Sequence, residues 1–243
     1  MKKLWSYSFL LLVWYLISFS LNNDILLPSP IMVINKMMTM LKQPSFYTHL
    51  LATVVRIFWT VVFGFLLALL ALILTLKSKL LKQMLEAIND IIRTLPVAAF
   101  LIISLIWLGR EISIMVVGIL IIFPILYDFL VNATHTIETR YKAVLNLYGS
   151  TFLDNIFKVY LPLMMSALIA MLRSSILLAI KTTINAEVLV AIMNGIGYQL
   201  AFARSNLDMV TVLAYSGWMV LISLLISSFL GYLSARLSYL DEV

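Results

Sequence analysis

The chain has 243 residues, of which 63% are hydrophobic and 12% are charged. Soluble domains have roughly 45–50% apolar and about 25% charged residues, so this composition is that of an integral membrane protein. A helix needs about 20 apolar residues to cross the bilayer, which leaves no room for a fused soluble domain such as an ATPase. The absence of cysteine excludes disulfides and thiolate metal sites. The net charge of +6 predicts basic cytoplasmic loops rather than nucleic-acid binding.

The first hydrophobic run, residues 4–21, follows two lysines and predicts a transmembrane helix. A basic start before an apolar run also describes a signal peptide. This run is long, however, and no small-residue cleavage site precedes the polar residues that follow it. The sequence therefore favours a first helix that is not cleaved.

Residues 25–43 predict a short helix that lies at the membrane interface. Pro28 and Pro30 interrupt the chain before it, and apolar residues then recur at helical spacing, with Lys36 and Lys42 off that stripe. The apolar positions are Ile31, Ile34, Met37, Met38 and Leu41.

Five later apolar runs complete a prediction of six spans. They are residues 46–77, 96–108, 112–131, 161–184 and 209–233. An amphipathic connector at residues 80–93 leads into the third span, and a tight turn at Gly109, Arg110 and Glu111 separates the third span from the fourth. Lysines and arginines are more numerous in the loops on the side of the N-terminus, which predicts that both termini are cytoplasmic.

The segment 132–160 is too polar to lie in lipid, although it is rich in helix-forming residues. Gly149 would end a first helix, Ser150 would cap a second one, and Pro162 would lie in the first turn of the next span. We therefore expect a pair of short helices on the cytoplasmic face, where a soluble partner can act on them.

No motif for catalysis or nucleotide binding occurs in the sequence. Phosphate-binding loops, dinucleotide fingerprints, nucleophile elbows and metalloprotease motifs are all missing. The two histidines, His49 and His135, are too far apart to form a local metal motif. We therefore expect a protein that is not an enzyme, with energy supplied by an ion gradient or by a separate protein.

The polar segment resembles the coupling segment of ABC importer permeases, in which Glu-Ala-Ala is followed by a glycine and later by a hydrophobic residue and proline. Gly149, Leu161 and Pro162 have that order. Further short matches, in order along the chain, are similar to the nitrate/taurine/alkanesulfonate branch of the family. They are Leu27-Pro28-Ser29-Pro30, Arg93-Thr94-Leu95-Pro96, Trp107-Leu108-Gly109, Phe123-Pro124-Ile125, Ala186-Glu187 and Gly195-Ile196-Gly197-Tyr198.

The coupling motif departs from the family pattern, because Ala143-Val144-Leu145 replaces Glu-Ala-Ala. Lys142 precedes this stretch, and Glu138 is a possible acidic substitute. Tyr148 and Phe152 would either contact an ATPase groove or belong to an interfacial aromatic belt. The residues that the resemblance assigns to ATPase coupling are Ala143, Tyr148, Gly149, Ser150, Phe152, Leu161 and Pro162.

The resemblance implies an all-α type I ABC importer transmembrane domain that spans residues 1–243. It also implies a homodimer in the cytoplasmic membrane of a bacterium, in contact with lipid, with ATPase subunits that hold ATP and magnesium, and with an extracytoplasmic binding protein. The chain itself is expected to bind no cofactor and no metal. The alternatives are a gradient-driven carrier or channel, for which inverted repeats are expected, and a membrane scaffold without transport activity.

Ionisable residues within transmembrane helices need a partner of opposite charge or a water-filled cavity. Arg173 and Lys181 lie eight residues apart, on one side of the fifth span, and would form a cationic lining for an anionic solute. Alternatively, they pair with Asp128 or with backbone carbonyls. Asp128 follows Pro124 and marks either a kinked helix or a carboxylate near the cytoplasmic end. Glu187 is expected near the outer face, at a gate or at the docking site of the binding protein.

Overall fold

The computed structural model describes residues 2–147 and 156–241, and confirms the all-helical fold class. In chain order, the helices are α1 (Lys2–Leu21), α2 (Pro30–Met40), α3 (Pro44–Lys77), α4 (Lys79–Thr94), α5 (Val97–Leu147), a π-helical turn (Ile156–Tyr160), α6 (Leu161–Leu163), α7 (Met165–Val190), α8 (Ile196–Ser205) and α9 (Met209–Asp241). The predicted interfacial helix corresponds to α2, and the predicted amphipathic connector to α4.

Within the described residues, four helices are long and apolar enough to cross a membrane. The candidate spans are Pro44–Lys77, Val97–Arg140, Ala167–Val190 and Met209–Arg236. A shorter apolar stretch, Ser8–Leu21, lies in α1. Since about 20 apolar residues cross the hydrocarbon core, this pattern is that of a multi-pass membrane protein. The predicted third and fourth spans both fall within the single helix α5.

The helix α5 folds back at the turn that the sequence predicts. Gly109 has a φ of +74°, in the left-handed region that a straight α-helix excludes. Arg93, just before α5, forms an ion pair with Asp128. A straight helix from Val97 would place Asp128 about 47 Å along its axis, at about 1.5 Å per residue. The contact therefore requires the chain to reverse at Gly109.

After this reversal, α5 runs beside α3 in the same direction. Contacts join the two helices in matching order, and a Cβ atom at either of two glycines would meet the opposite helix at less than 3 Å. The contacting pairs are Arg56–Glu111, Thr60–Gly118, Gly64–Ile122 and Thr75–Tyr127. Two consecutive helices that run in the same direction need a segment that leads the chain back from the end of the first to the start of the second. Residues 79–108 form this return segment between α3 and the second half of α5.

The chain forms two compact units. The first comprises Met1–Val55 and Ile184–Ser223, and the second comprises Arg56–Thr183 and Leu224–Val243. The boundaries fall inside α3, α7 and α9, so each of these helices contributes residues to both units.

In the first unit, α2 begins at Pro30, a residue that was predicted to lie before the helix. The Ser29 side chain accepts a hydrogen bond from the backbone of the first turn, and Pro30 occupies a position where its missing N–H costs nothing. The residues that α2 buries are Pro30, Val33 and Met40. Most of the predicted apolar stripe is instead exposed, namely Ile31, Ile34 and Met38. Beside lipid, both faces of a helix can be apolar, so hydrophobic spacing does not indicate which face packs.

Hydrogen bonds from side chains hold α1 and α2 to their neighbours in the first unit. The Trp14 indole donates to the Pro28 carbonyl at 3.1 Å, and the Ser18 hydroxyl donates to the Leu27 carbonyl at 2.9 Å. On the other side of α2, the Trp218 indole donates to the Met37 carbonyl at 3.3 Å. These bonds fix both helices against the turn that joins them and against α9.

Candidate functional sites

The predicted coupling region begins on the last turns of α5. This helix continues beyond the apolar span Val97–Arg140 as far as Leu147, and Ala143 lies on this extension. Pro162 lies in the first turn of α6, as predicted, and is exposed, while Leu161 is half-buried. Tyr148, Gly149, Ser150 and Phe152 lie outside the described residues, so their coupling role stays a prediction.

Glu138 joins the two arms of this region. The hydroxyl of Tyr160, in the π-helical turn, donates a hydrogen bond to the Glu138 carboxylate at 3.1 Å. Burial, and then the charge and the hydrogen bond of Glu138, raise the pKa of Tyr160 to about 12. Glu138 therefore has a partner within the chain, which weighs against its use as the coupling carboxylate.

Asp128 is bound by α4 and not by the basic residues of the fifth span. It forms an ion pair with Arg93 and accepts a hydrogen bond from the Asn89 amide at 2.8 Å. Arg93 also donates to the Pro124 carbonyl at 3.4 Å, one turn before Asp128. Sequence reasoning missed this cluster, because Arg93 lies at the end of an amphipathic helix and 35 positions separate it from Asp128. The sequence did contain a sign of this cluster, because Asn89 and Arg93 are four residues apart and so lie on one face of α4, where both can bind the same carboxylate.

Arg173 packs against α9 in the second unit. Its Nε atom donates to the Ser227 hydroxyl at 2.7 Å, and a Cβ atom at Gly231 would lie 3.1 Å from its Nη1 atom. Ser227 and Gly231 are one turn apart, so small residues on α9 make room for the guanidinium. Lys181 is exposed on the same helix as Arg173. Among the described residues, neither cation forms an ion pair with a carboxylate, and their role in a solute path stays a prediction.

Glu187 is fully buried and binds the start of α8. Its carboxylate accepts a hydrogen bond from the Gly197 backbone N–H at 2.8 Å and from the Thr53 hydroxyl at 3.0 Å. The fit is tight, because a Cβ atom at Gly197 would lie 2.3 Å from the Glu187 Cβ atom and 2.7 Å from the Ile184 carbonyl oxygen. A carboxylate at a helix N-terminus is also stabilised by the helix dipole.

Two further residues of α3 complete the binding of this helix start. The Thr53 hydroxyl accepts a hydrogen bond from the Ile196 N–H at 2.8 Å, and the His49 Nδ1 atom accepts one from the Gly195 N–H at 3.1 Å. Three successive N–H groups at the start of α8, which have no partner within their helix, are thus bound by side chains of α3 and α7. Sequence reasoning missed His49 and Thr53, although their spacing of four residues places them on one face.

His49 extends this network to the next turn of α8. Its Nε2 atom lies 2.7 Å from the side-chain amide of Gln199. Because Nδ1 accepts a hydrogen bond, the proton of the neutral ring is on Nε2, which requires the Gln199 amide oxygen on that side. Glu187 and its neighbours therefore act as an anchor for α8, a structural contact that the sequence did not reveal.

A buried cation also escaped sequence reasoning. Arg56 on α3 is 5% exposed and forms two hydrogen bonds with the Glu111 carboxylate, at 2.7 and 2.8 Å. Paired contacts of this kind fix the geometry of both side chains. The pair therefore secures the turn at Gly109 to α3.

Comparisons with known proteins agree with this architecture. The model of the family described as binding-protein-dependent transport system inner membrane component matches residues 60–239. The chain is 25% identical to the taurine transport system permease protein TauC of Escherichia coli (strain K12), over 94% of this chain and 86% of that protein. It is 26% identical to a putative ABC transporter permease protein of Methanocaldococcus jannaschii, over 92% of this chain and 86% of that protein. The chain therefore belongs to the inner membrane components of binding-protein-dependent transport systems, as an ABC importer permease of the nitrate/taurine/alkanesulfonate branch.

Proposed function

We propose that the chain is the transmembrane subunit of an ATP-driven importer for a small polar or anionic solute. An extracytoplasmic binding protein delivers the solute, two copies of the chain enclose the path, and separate ATPase subunits bind ATP and magnesium. The observation that carries the proposal is the family match across residues 60–239, which includes most of the apolar helices. The membrane is the cytoplasmic membrane of a bacterium.

The proposed topology has six crossings, with both termini in the cytoplasm. Its support is the parallel arrangement of α3 and the second half of α5, because the return segment 79–108 then supplies a crossing between them. Together with α1, α7 and α9, these segments make six. The basic residues that follow α3, among them Lys77 and Lys79, would lie on the cytoplasmic side.

For ATPase coupling, we propose the predicted residues from Ala143 to Pro162. The helix α5 from Ile112 to Leu147 is about 54 Å long, whereas the hydrocarbon core is about 30 Å thick. Its polar C-terminal turns must therefore project out of the membrane. Glu138 is bound to Tyr160. We therefore propose that Lys142, the charged residue directly before the altered Glu-Ala-Ala position, contacts the ATPase instead.

For the solute path, we propose Arg173 and Lys181. Both cations lack a carboxylate partner among the described residues, and both lie on α7, so an anion in the path would complete their pairing. Asp128 and Glu187 are removed from this lining, because Arg93 and the start of α8 respectively bind their carboxylates.

The test is reconstitution of the chain with its ATPase subunits and its binding protein in proteoliposomes. We expect ATP hydrolysis that the loaded binding protein stimulates, and loss of this stimulation, with the complex still assembled, in Gly149→Pro. The control is Arg110→Ala, an exposed residue of the Gly109 turn, which should retain stimulation. Solute transport driven by an ion gradient, with no ATPase present, would instead establish a gradient-driven carrier.

A further inference from the structure

A cavity of about 210 Å³ with both polar and apolar walls lies in the first unit, between α2, α8 and α9. Its lining includes Lys36, Gln43, Asn206, Asp208 and Tyr215. Small-molecule pockets usually have volumes of about 300–1,000 Å³ and mostly apolar walls. This cavity is smaller and more polar, so it suits a group of a few heavy atoms that carries charge.

Charges of both signs line the cavity, and they form no ion pair with each other. The Lys36 ammonium, on the half-buried side of α2, forms no ion pair within the described residues. On the opposite wall, Asp208 accepts hydrogen bonds from the Thr211 N–H at 2.9 Å and from the Thr211 hydroxyl at 2.5 Å, one on each carboxylate oxygen. Each oxygen of a carboxylate has a further lone pair, so Asp208 can still accept a donor from the cavity.

The ionisation of Asp208 fits this arrangement. Burial raises the pKa of Asp208. The two hydrogen bonds from Thr211 and the charge of Lys36 together lower it by more, so the pKa lies below the ordinary value of 3.8. At neutral pH the cavity therefore has one cationic and one anionic wall.

Tyr215 adds a hydroxyl group to the wall of the cavity. The residue is 5% exposed and lines the cavity, and its hydroxyl makes no hydrogen bond within the described part of the chain. The hydroxyl oxygen is not among the fully enclosed polar atoms that lack a partner, so it is reached from the cavity and can donate a hydrogen bond there. An acceptor oxygen in the cavity could therefore bind both this hydroxyl and the ammonium of Lys36.

The turn that carries Asp208 is held in an unusual conformation. Leu207 has a φ of +56°, which a leucine rarely adopts, and its side chain is exposed. Hydrogen bonds from the Leu207 N–H to the Arg204 carbonyl and from the Asp208 N–H to the Ala203 carbonyl fix the turn. Conformations of this kind persist where the surrounding structure imposes them and are common at ligand sites.

We propose that this cavity binds a small zwitterionic group, whose anionic end contacts Lys36 and Tyr215 and whose ammonium end contacts Asp208. Two sources share this chemistry, namely a free solute with an acidic and an amino group on a short chain, and the headgroup of an ethanolamine lipid. The site is additional to the proposed transport function, because neither ATPase coupling nor the Arg173 and Lys181 lining includes it.

The first experiment measures binding to the full chain in nanodiscs that contain no ethanolamine lipid. The probes are phosphoethanolamine, ethyl phosphate as the anionic half and ethanolamine as the cationic half, each titrated by calorimetry. We expect phosphoethanolamine to bind at least tenfold more tightly than either half. Equal affinity for the zwitterion and for its halves would overturn the proposal.

Variants assign the two ends of the probe. Lys36→Met should weaken the binding of phosphoethanolamine and of ethyl phosphate about tenfold and leave the binding of ethanolamine unchanged. Lys36→Arg should retain the binding of all three probes. Asp208→Asn keeps a helix-capping side chain and should show the opposite pattern. The matched control is Lys42→Met, an exposed lysine outside the lining, which should bind as the wild type does. Wild-type affinity in both Lys36→Met and Asp208→Asn would overturn the proposal.

Mass spectrometry of co-purified lipids distinguishes the two sources. If a lipid headgroup occupies the cavity, ethanolamine lipid should co-purify with the wild type and with Lys42→Met, and should be depleted in Lys36→Met. If a free solute occupies it, phosphoethanolamine should bind equally well in nanodiscs with and without ethanolamine lipid. These measurements involve no ATPase and no transport, so their failure would leave the proposed importer function untouched.

Discussion

Glu187 in the first unit and Asp128 in the second are both acidic residues within apolar helices, but different groups hold them. Glu187 is fully buried, and the Gly197 backbone N–H is one of its donors. The Asp128 side chain is 35% exposed, and its donors are the side chains of Arg93 and Asn89. A carboxylate bound to the backbone determines the path of the chain. A carboxylate bound to side chains determines only how two helices pair, and its partners can be exchanged at lower cost.

The largest effect is expected from Gly197→Ala. The added Cβ atom would lie 2.3 Å from the Glu187 Cβ atom and 2.7 Å from a carbonyl oxygen, so the backbone itself must move. We expect a loss of about 3 kcal/mol in unfolding free energy, at the upper end of the cost of overpacking. Unfolding in mixed micelles with increasing SDS measures this loss.

The matched control is Gly109→Ala. Gly109, unlike Gly197, has a positive φ, of +74°, and no atom lies within 4 Å of an added Cβ atom. Its cost should be only the left-handed strain of about 1–2 kcal/mol. If Gly109→Ala destabilised the chain as much as Gly197→Ala, the tight contact with Glu187 would not be the cause.

The next effect concerns Glu187 itself. Glu187→Ala leaves the Gly197 N–H and the Thr53 hydroxyl without their acceptor, and each unsatisfied buried group costs about 1–3 kcal/mol. With two such groups at the lower end of that range, we expect a loss of about 2 kcal/mol in the same unfolding assay, and about half of it in Glu187→Gln, which keeps one acceptor oxygen. A loss in Glu187→Ala no greater than in Asp128→Ala would remove the contrast between the two acids.

The Asp128 pair should show a smaller coupling. A double-mutant cycle of Asp128→Asn and Arg93→Met isolates the interaction between the two side chains. Because the Arg93 side chain is 45% exposed, solvent screens the pair, and we expect a coupling of about 1 kcal/mol. A coupling of about 3 kcal/mol or more would place Asp128 in the same class as Glu187.

The smallest effect is expected for a third acid, Asp208, which caps α9 at a more exposed position. Its pKa is below 3.8 in the folded chain, so its contribution to stability is present above pH 3.8 and is lost as the pH falls through the lower, folded pKa. Asp208→Asn should therefore flatten the pH dependence of unfolding between about pH 5 and pH 3. An unchanged slope in Asp208→Asn would show that other acids dominate this range.

Composition and hydropathy predicted the helices well, because a membrane allows few alternatives to an apolar helix. The turn at Gly109 followed from the local chemistry of that residue, whereas the Ser29-Pro30 start of α2 was not predicted. The face of α2 that packs against the protein could not be predicted, because a face that contacts lipid is as apolar as a face that contacts other helices.

Partners of the charged residues were the hardest part to predict. Arg93 and Asp128 are far apart in sequence, as are Thr53 and Glu187, and only the fold-back at Gly109 and the return of α7 bring them together. Sequence reasoning therefore identified Asp128 and Glu187 as functional candidates but could not distinguish an anchor from a path lining. The coupling role of Gly149 came from the resemblance and stays a prediction.

The two hydrogen bonds that Trp14 and Ser18 donate have a practical consequence. These residues are four positions apart, so both bonds are on one face of α1 and set the rotation of the helix. Because the chain has no cysteine, single cysteines placed along α1 can be labelled in an otherwise native protein. A nitroxide attached at positions such as Phe9 and Phe19 should collide readily with oxygen dissolved in the lipid, and one at 14 or 18 poorly, with a period of about 3.6 residues. Spin labelling would then report the orientation of the first helix in a lipid bilayer.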